Sequence, residues 1–475
     1  MEPSQLPEGL PVVLEPDVQI DHDARSLVGG SPLRILRLSG RGMEFVAGLR
    51  SETTSSWTPA VGRLWRSLTD AGMANPAPEP RDEADIDWVV PVYDGSEPVD
   101  PTLPAGTTVV HDGGPNADEL RRRCTEQGWR YIRMVDNAGP GVARSRGAAD
   151  GAAPIIGFID AGVTLDDGAI ALLAGHFADP QVGAVAPRVR SGPAAGLRGL
   201  YESFRSPLDL GPRPSRVRPD ARVSHVPAAV LLVRRIAFEQ LDGFDADLRF
   251  GEDVDLVWRL DRAGWRVRYA PEAGAVHVPR ASWRSMWQQR VGYGSAAAPL
   301  DQRHPGSAAP VRLNAWSLAT WVLLAFGRGP LRATGVAFGV GSTAALARRL
   351  RGAVSDPLDT ALRLGGRGTL VSGRWLAQAV GRAWLPIAVL AAVRTRRPGP
   401  LLAALVAAPT VEWAEVRPDI DPVRWVVLRT LDDAAYCTGV WKGMWVERSL
   451  GAIRPRFTGI PGLRRDEKRG ESVRS

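Results

Sequence analysis

Short apolar runs recur through the middle of the chain, each closed by glycine or an acid. Ile86 to Val92, Thr107 to Val110, Tyr131 to Val135 and Ile155 to Ile159 read as strands. Between them, Asp118 to Gln127 and Ala143 to Ala149 carry helical spacing. Strands alternating with helices predict a parallel, doubly wound α/β sheet over about residues 86–300. Ligands of such sheets bind beyond the carboxyl ends of the strands. Asp94, Asp112 and Asp160 each stand at such an end. One aspartate after a strand is ordinarily a turn residue; three in register exceed what turn chemistry needs.

A further apolar run, Val230 to Val233, leads to a glycine-hinged turn, Gly243 to Gly251, crowded with Asp245, Asp247, Glu252 and Asp253. A helical pattern follows through Val254, Leu256, Val257 and Leu260. Acids in a first helical turn suit the macrodipole, but a turn of this kind also presents a general base at the rim of a cleft. A sugar nucleotide would employ all these acids. One carboxylate accepts from a nucleobase N–H, a second holds a divalent cation against the diphosphate, and a third deprotonates the acceptor hydroxyl.

The ends of the chain read differently. Residues 1–85 suggest a small α+β, winged-helix-like module: a strand from Val12 to Ile20, a strand and turn from Ser26 to Pro32, and helices over Met43 to Leu49 and Val61 to Ala71. Ala74 to Glu83 reads as a linker. A structural cap and a peptide-binding role both remain open for this module. Residues 301–475 are helical and hydrophobic, with apolar runs at Leu313–Phe326, Thr334–Leu346, Trp375–Val393 and Leu401–Val411. Arg348, Arg349, Arg351, Arg394, Arg396 and Arg397 flank them. Apolar helices beside arginines fit a membrane surface, placing the catalytic part on the cytoplasmic face; the alternative is a helical domain in water.

Composition adds charge and compartment. The 475 residues carry a net charge of +7, with Arg in almost every basic position; Lys442 and Lys468 are the lysines. Arginine suits phosphate and carboxylate, and a basic balance alone does not choose among nucleic acid, anionic lipid and a phosphorylated donor. No basic stripe with interleaved aromatics appears, so nucleic acid is not expected. Cys124 and Cys437 form no metal-ligand spacing, and residues 1–30 lack the apolar segment of a signal peptide.

The ordered set Val90-Pro91-Val92-Tyr93, His111-Asp112-Gly113-Gly114, Asn137 to Arg144, Phe158-Ile159-Asp160-Ala161-Gly162 and Gly243 to Leu256 resembles the family 2 glycosyltransferases of the nucleotide-diphosphate-sugar (GT-A) fold. The resemblance implies a donor site at Pro91, Tyr93, Asp112, Arg144 and Asp160, with Asp112 on the nucleobase and Arg144 facing the diphosphate. It implies Asp253, beside Glu252, as catalytic base of an inverting transfer. It also implies a divalent cation, Mg2+ or Mn2+, at Asp160 and His277. Gly162 stands where the family usually carries a second metal-binding acid, so Asp166 or Asp167 would have to replace it, or the protein binds a sugar nucleotide without turning it over. Trp287 and Tyr293 could stack on an acceptor sugar, with core packing as the alternative. Over its whole length, including Leu27 to Arg34 and Tyr293 to Leu300, the chain is similar to the transferases of the mycofactocin system. That implies UDP-glucose as donor, a precursor of this peptide-derived redox cofactor as acceptor, and a β-1,4-linked glucose product. A lipid or envelope polysaccharide is the alternative acceptor.

Overall fold

The structure is a computed structural model and describes residues 5–49, 57–81 and 85–457. Two compact units emerge: Met1–Gln289 with Pro418–Ile420, and Arg290–Arg417 with Asp421–Ser475.

The first unit opens with short strands, β1 (Val12–Leu14), β2 (Gln19–Asp21), β3 (Ser26–Gly29), β4 (Arg34–Arg37) and β5 (Ala74–Pro76). The single strand expected over Val12–Ile20 is therefore two. They are separated at Pro16-Asp17, where the Val18 amide turns back to the Glu15 carbonyl. β2, β3 and β4 form an antiparallel sheet, and β1 pairs with β5, so part of the expected linker is a strand. Helices Gly40–Leu49 and Pro59–Asp70 cover them. The second begins where Thr58 accepts the Val61 amide, with Pro59 in the first turn. Its Trp65 and Leu68 bury themselves against Leu27, Val46 and Met73.

The central sheet runs β10-β14-β11-β13-β9-β6-β7-β8. Its strands are β6 (Ile86–Val92), β7 (Thr108–Asp112), β8 (Arg130–Met134), β9 (Ile155–Ile159), β10 (Val163–Leu165), β11 (Val182–Ser191), β12 (Ser215–Val217), β13 (Val230–Arg234) and β14 (Arg266–His277). Helices Ala117–Gln127 and Pro140–Ala148 connect the parallel strands β7, β8 and β9. β6 is parallel to both β7 and β9, as expected, but β13 runs antiparallel to β9 and β11, and β10 and β12 antiparallel to β14. The sheet is thus mixed rather than purely parallel. β14 is parallel to β11, so its end at His277 falls on the same edge as the ends of β6, β7 and β9. Trp88, Val90, Val109, Ile155, Val185, Val230 and Leu232 fill the core, each such burial contributing about 1.5–3 kcal/mol.

The N-terminal strands and helices are tied to this sheet by ions. Asp179, fully buried, accepts both terminal nitrogens of Arg66 (2.9 and 2.8 Å) and one of Arg268 (2.5 Å). Asp70 accepts Arg216 (2.6 Å) and Arg266 (2.8 Å). Burial pushes the Asp179 carboxyl up, but the two guanidiniums outweigh it and hold it below the ordinary carboxylate value. Asp179→Asn is expected to cost about 3 kcal/mol in urea unfolding at pH 7, because two buried guanidiniums lose their counter-charge. The same depressed acid gives stability at neutral pH that is lost as the pH falls through its folded value, so the deficit of the variant should shrink in acid. A variant as stable as the parent at pH 7 would mean the pair contributes nothing.

The second unit is helical: Ala315–Phe326, Pro330–Leu350, Arg367–Arg382, Leu385–Thr395, Gly399–Val416 and Pro422–Glu447. The apolar run Trp375–Val393 breaks at Ala383-Trp384, and the helices on either side meet at 94°. Among the described residues no single helix is long and apolar enough to cross a membrane, while this bent pair meets the test of length and composition. Val340, Ile387, Leu390, Val393, Leu402 and Val406 are exposed. Inside, Arg429 binds Glu412 (2.7 Å) and Asp433 (3.0 Å), and Arg290 binds Asp432 (2.6 Å).

Candidate active site

The strand ends place three acids and a histidine along one edge of the sheet. Asp112, at the end of β7, is buried and accepts the amides of Ala138 and Gly139 at 2.8 and 2.9 Å. It thereby fixes the glycine turn that starts helix Pro140–Ala148. Gly139 has φ +96°, a backbone suited to glycine. Arg144 lies one turn into that helix and is 3% exposed. Its guanidinium reaches Asp160 at 2.5 Å and Glu252 at 2.9 Å. Arg144 is therefore a buried, doubly paired side chain and not a solvated helix residue. The Phe244 ring stacks under the guanidinium at 5.6 Å, backed by Phe158 and Phe238.

The acidic turn arrives from the other side. Glu252 and Asp253 open helix Glu252–Arg262, capped by Gly251 in the left-handed region (φ +79°). Glu252 points inward to Arg144 and is buried. Asp253 is half-buried, accepting the Val254 amide at 2.8 Å and the Ala228 amide at 3.2 Å. Arg249 donates to Asn137 Oδ1 at 2.8 Å, holding the turn over the loop that Asp112 orders. Helix Pro140–Ala148 packs close: a Cβ on Gly141 would come within 3.0 Å of Glu252 Cγ.

One cation here faces three carboxylates, Asp160, Glu252 and Asp253. Arg144 stays charged, since the carboxylates of Asp160 and Glu252 outweigh the penalty of its burial. Glu252 gives way: burial, and then the charge of Asp253, push its carboxyl up to about 7. An acid raised in the folded state stabilises below its unfolded value, about 4.5, and loses that contribution as the pH rises through 7. The parent should therefore lose thermal stability between pH 5 and 8, and Glu252→Gln should flatten the curve. Parallel curves for the two proteins would show that Glu252 does not titrate there.

Asp160 and His277 are neighbours through backbone pairing. Val163 lies opposite His277 in the ladder, and the Val278 amide binds the Gly162 carbonyl at 2.9 Å. Burial pushes the His277 imidazole down, while Asp160 pulls it up. Asp160 keeps one oxygen on Arg144 and about a third of its side chain exposed. A carboxylate and a largely neutral imidazole fit a divalent cation whose remaining ligands come from diphosphate and water. Among the described residues no group of three His, Cys, Asp or Glu side chains is placed to hold a metal. Asp166 is paired with Arg190 at 2.5 Å on the exposed side of the sheet edge.

Of the remaining sequence candidates, Pro91 is half-buried in β6 and Tyr93 is exposed beyond it. Gly114 packs so tightly under the Tyr93 carbonyl that a Cβ would lie 1.7 Å from its oxygen, which accounts for glycine there. Trp287 and Tyr293 share helix Trp283–Ser295; Trp287 is exposed and Tyr293 half-buried. Two residues were not foreseen. Glu97 follows the end of β6; burial pushes its carboxyl up, Arg280 pulls it down, and Asp94 and Asp160 add to the rise. His225 is pushed down by burial while Asp253 pulls it up. The run Gly95-Ser96-Glu97 offered no periodic signal, and His225 lies in an irregular stretch.

The family described as Glycosyltransferase like family 2 matches residues 114–292. A pre-mycofactocin glycosyltransferase of Mycobacterium tuberculosis is 33% identical over 479 residues, covering 96% of this chain and 100% of that protein. This chain belongs to glycosyltransferase family 2. The N-acetylglucosaminyl-diphospho-decaprenol L-rhamnosyltransferase of the same organism is 39% identical over 106 residues, 21% of this chain and 34% of that one. Among solved structures, the mannosyltransferase PcManGT of Pyrobaculum calidifontis, in complex with GDP-Man and Mn2+, aligns over 77% of this transferase and 90% of that chain, with 17% identity and a TM-score of 0.39. The family 2 transferase thus carries its acids on the sheet edge described above, and the bond it makes is glycosidic.

Proposed function

We propose that this transferase moves glucose from UDP-glucose to a mycofactocin precursor, forming a β-1,4 linkage with inversion at the anomeric carbon. The observation that carries the reading is the end-to-end similarity to a pre-mycofactocin glycosyltransferase. The site chemistry is consistent with it. Asp253 is the half-open carboxylate at a helix N-terminus and takes the proton of the acceptor hydroxyl as that oxygen attacks. Attack opposite the leaving diphosphate inverts the centre. Arg144 holds Asp160 and Glu252 in register, keeping the leaving-group side and the base side at fixed spacing. Asp112 acts on the nucleotide side by ordering the loop at residues 138–139. Asp160 and His277 would hold a divalent cation, Mg2+ or Mn2+, which would supply positive charge for the departing diphosphate.

The exposed apolar side chains of the second unit, with Arg394, Arg396 and Arg397 beside them, support a place on the cytoplasmic face of the membrane. They also favour a second reading, a lipid or envelope polysaccharide as acceptor. The N-terminal module is proposed to receive the peptide-derived acceptor.

The test is transfer of label from UDP-glucose by the full chain, with Mg2+ or Mn2+ and with chelator, to a mycofactocin precursor and, in parallel, to a membrane lipid extract. Label on the precursor only with metal is the expected result. Label on lipid alone would overturn the acceptor assignment. Donor binding without transfer to either would point to a sugar-nucleotide-binding protein, as the glycine at position 162 allows.

A further inference from the structure

In water a helix buries its apolar face and shows its polar one. The second unit does the reverse. Helix Ala315–Phe326 buries Ser317 and Thr320 and exposes Val322 and Phe326. Helix Pro330–Leu350 buries Gly335 and Thr343 and exposes Leu331, Val336 and Val340. No side chain of helix Leu385–Thr395 is buried. Small residues where helices meet, with large apolar ones outside, are the pattern of helices in contact with lipid.

The positive charge of the chain sits here too. Residues 313–411 carry 12 arginines against 2 acids, Asp356 and Asp359, a net charge of +10 (12 − 2). The whole chain carries +7, so its remainder is negative (7 − 10 = −3). The basic balance is therefore a property of this segment, and its anionic partner is to be sought here. Asp359 is already paired with Arg363.

Two turns between helices concentrate both features. Residues 327–329 join Ala315–Phe326 to Pro330–Leu350, and residues 396–398 join Leu385–Thr395 to Gly399–Val416. The turns touch: Arg397 donates to the Phe326 carbonyl at 3.1 Å, and Arg332 to the Gly327 carbonyl at 3.1 Å. Beside them Phe326, Leu331 and Val393 are 50%, 53% and 70% exposed. Arg328, Arg332, Arg394 and Arg396 are exposed as well, and neither they nor Arg397 pair with a carboxylate among the described residues. A lipid leaflet presents hydrocarbon beneath a layer of phosphates, and arginine stems lie along apolar surface while their heads reach phosphate. The helices do not reach across a bilayer. Ala315–Phe326 and Leu385–Thr395 have 12 and 11 residues, about 16–18 Å against a hydrocarbon core of about 30 Å.

We propose that these two turns dock the transferase on a leaflet rich in anionic phospholipid, with Phe326, Leu331 and Val393 in the acyl boundary and the five guanidiniums on head-group phosphates. The contact rests on the membrane placement given above and specifies it. The chain is held from one side, its apolar side chains enter about 5–10 Å, and salt releases it because the attraction is ionic.

The experiment is flotation of the full chain, without donor or acceptor, with vesicles of phosphatidylcholine alone or with about 30% phosphatidylglycerol, at about 0.1 M and about 1 M salt. Cys124 and Cys437 are buried, so Val393→Cys takes an environment-sensitive dye selectively and reads insertion. Flotation only with the anionic vesicles, lost at high salt and accompanied by a blue shift of the dye, is the expected result. Arg328→Gln/Arg394→Gln/Arg396→Gln should weaken partition by about tenfold or more. Arg348→Gln/Arg349→Gln should change it by less than about twofold, since those charges lie about 24 Å along the helix from Arg332, beyond the screening length at the lower salt. All five substituted residues are exposed, so the melting midpoint should hold; if the triple variant melts earlier, the dye in the otherwise parent chain still decides insertion. Salt-resistant flotation with both vesicles would leave the membrane placement and overturn docking by charge. Equal loss in the two arginine variants would spread the attraction over the segment and overturn the turns as its site. Flotation without a dye shift would overturn the insertion. No flotation with either vesicle would overturn the docking and the membrane placement together and point to a protein partner, while leaving the transfer reaction, measured in solution, untouched.

Discussion

Asp253→Asn is expected to lower the transfer rate by about 10^3-fold or more, with the affinity for the nucleotide sugar unchanged. The magnitude is that of a positioned general base. The fold should tolerate the change. Asp253 is half-buried and accepts two backbone amides, and asparagine keeps one acceptor oxygen in nearly the same volume. The lost hydrogen bond and helix-terminal charge should cost no more than about 1–2 kcal/mol, which calorimetry or urea unfolding would register separately from activity. A nucleotide-sugar affinity that falls together with the rate would show that Asp253 holds the donor. A rate within a few-fold of the parent would remove Asp253 from the chemistry and turn attention to Glu252, whose carboxyl is already pushed up to about 7.

Arg144→Met should cost about 3–5 kcal/mol in stability at pH 8 and remove donor binding, because a near-isosteric apolar chain leaves Asp160 and Glu252 facing each other without their shared cation. The deficit should be smaller at pH 5. Glu252 takes up a proton first, and a neutral carboxyl no longer needs the guanidinium. The double variant Arg144→Met/Glu252→Gln should accordingly recover part of the lost stability at pH 8, a positive coupling of the kind expected for groups in direct contact. Equal losses at both pH values, with strict additivity in the double variant, would mean that the bridge is a packing contact whose charge is irrelevant.

What the sequence revealed and what it concealed divide along a physical line. The strands β6, β7, β8 and β9 were legible because each is a short apolar run closed by a turn residue, and the acids at their ends fell in register once the strands were counted. Direction was not legible. The run Val230–Val233 is as apolar as its neighbours, and only the pairing of β13 with β9 reveals that it runs the other way. The longest helix, Pro422–Glu447, was not read at all. Its apolar positions are interrupted by Arg429, Asp432 and Asp433, which look like solvent residues but are buried with Glu412 and Arg290. Arg144 shows the same blindness at the site. Its carboxylate partners lie 16 and 108 residues away, so no local pattern could distinguish a bridge from a diphosphate contact. Resemblance identified which side chains to watch, and the structure supplied how they are linked.

The ion pairs that join the N-terminal module to the sheet also set an order of events during synthesis. Asp70 leaves the ribosome well before Arg266, which follows 196 residues later. At ordinary elongation rates that interval is roughly 10–40 s. Arg66 waits for Asp179 through 113 residues of the same stretch. Until Asp179 and then Arg216 emerge, the module carries on its docking face two charges, Arg66 and Asp70, whose native partners in the sheet have not yet been made. The first segment to appear therefore waits for partners made much later, and a nascent chain stalled before Asp179 would present an ionic surface open to whatever charged molecule the cell supplies.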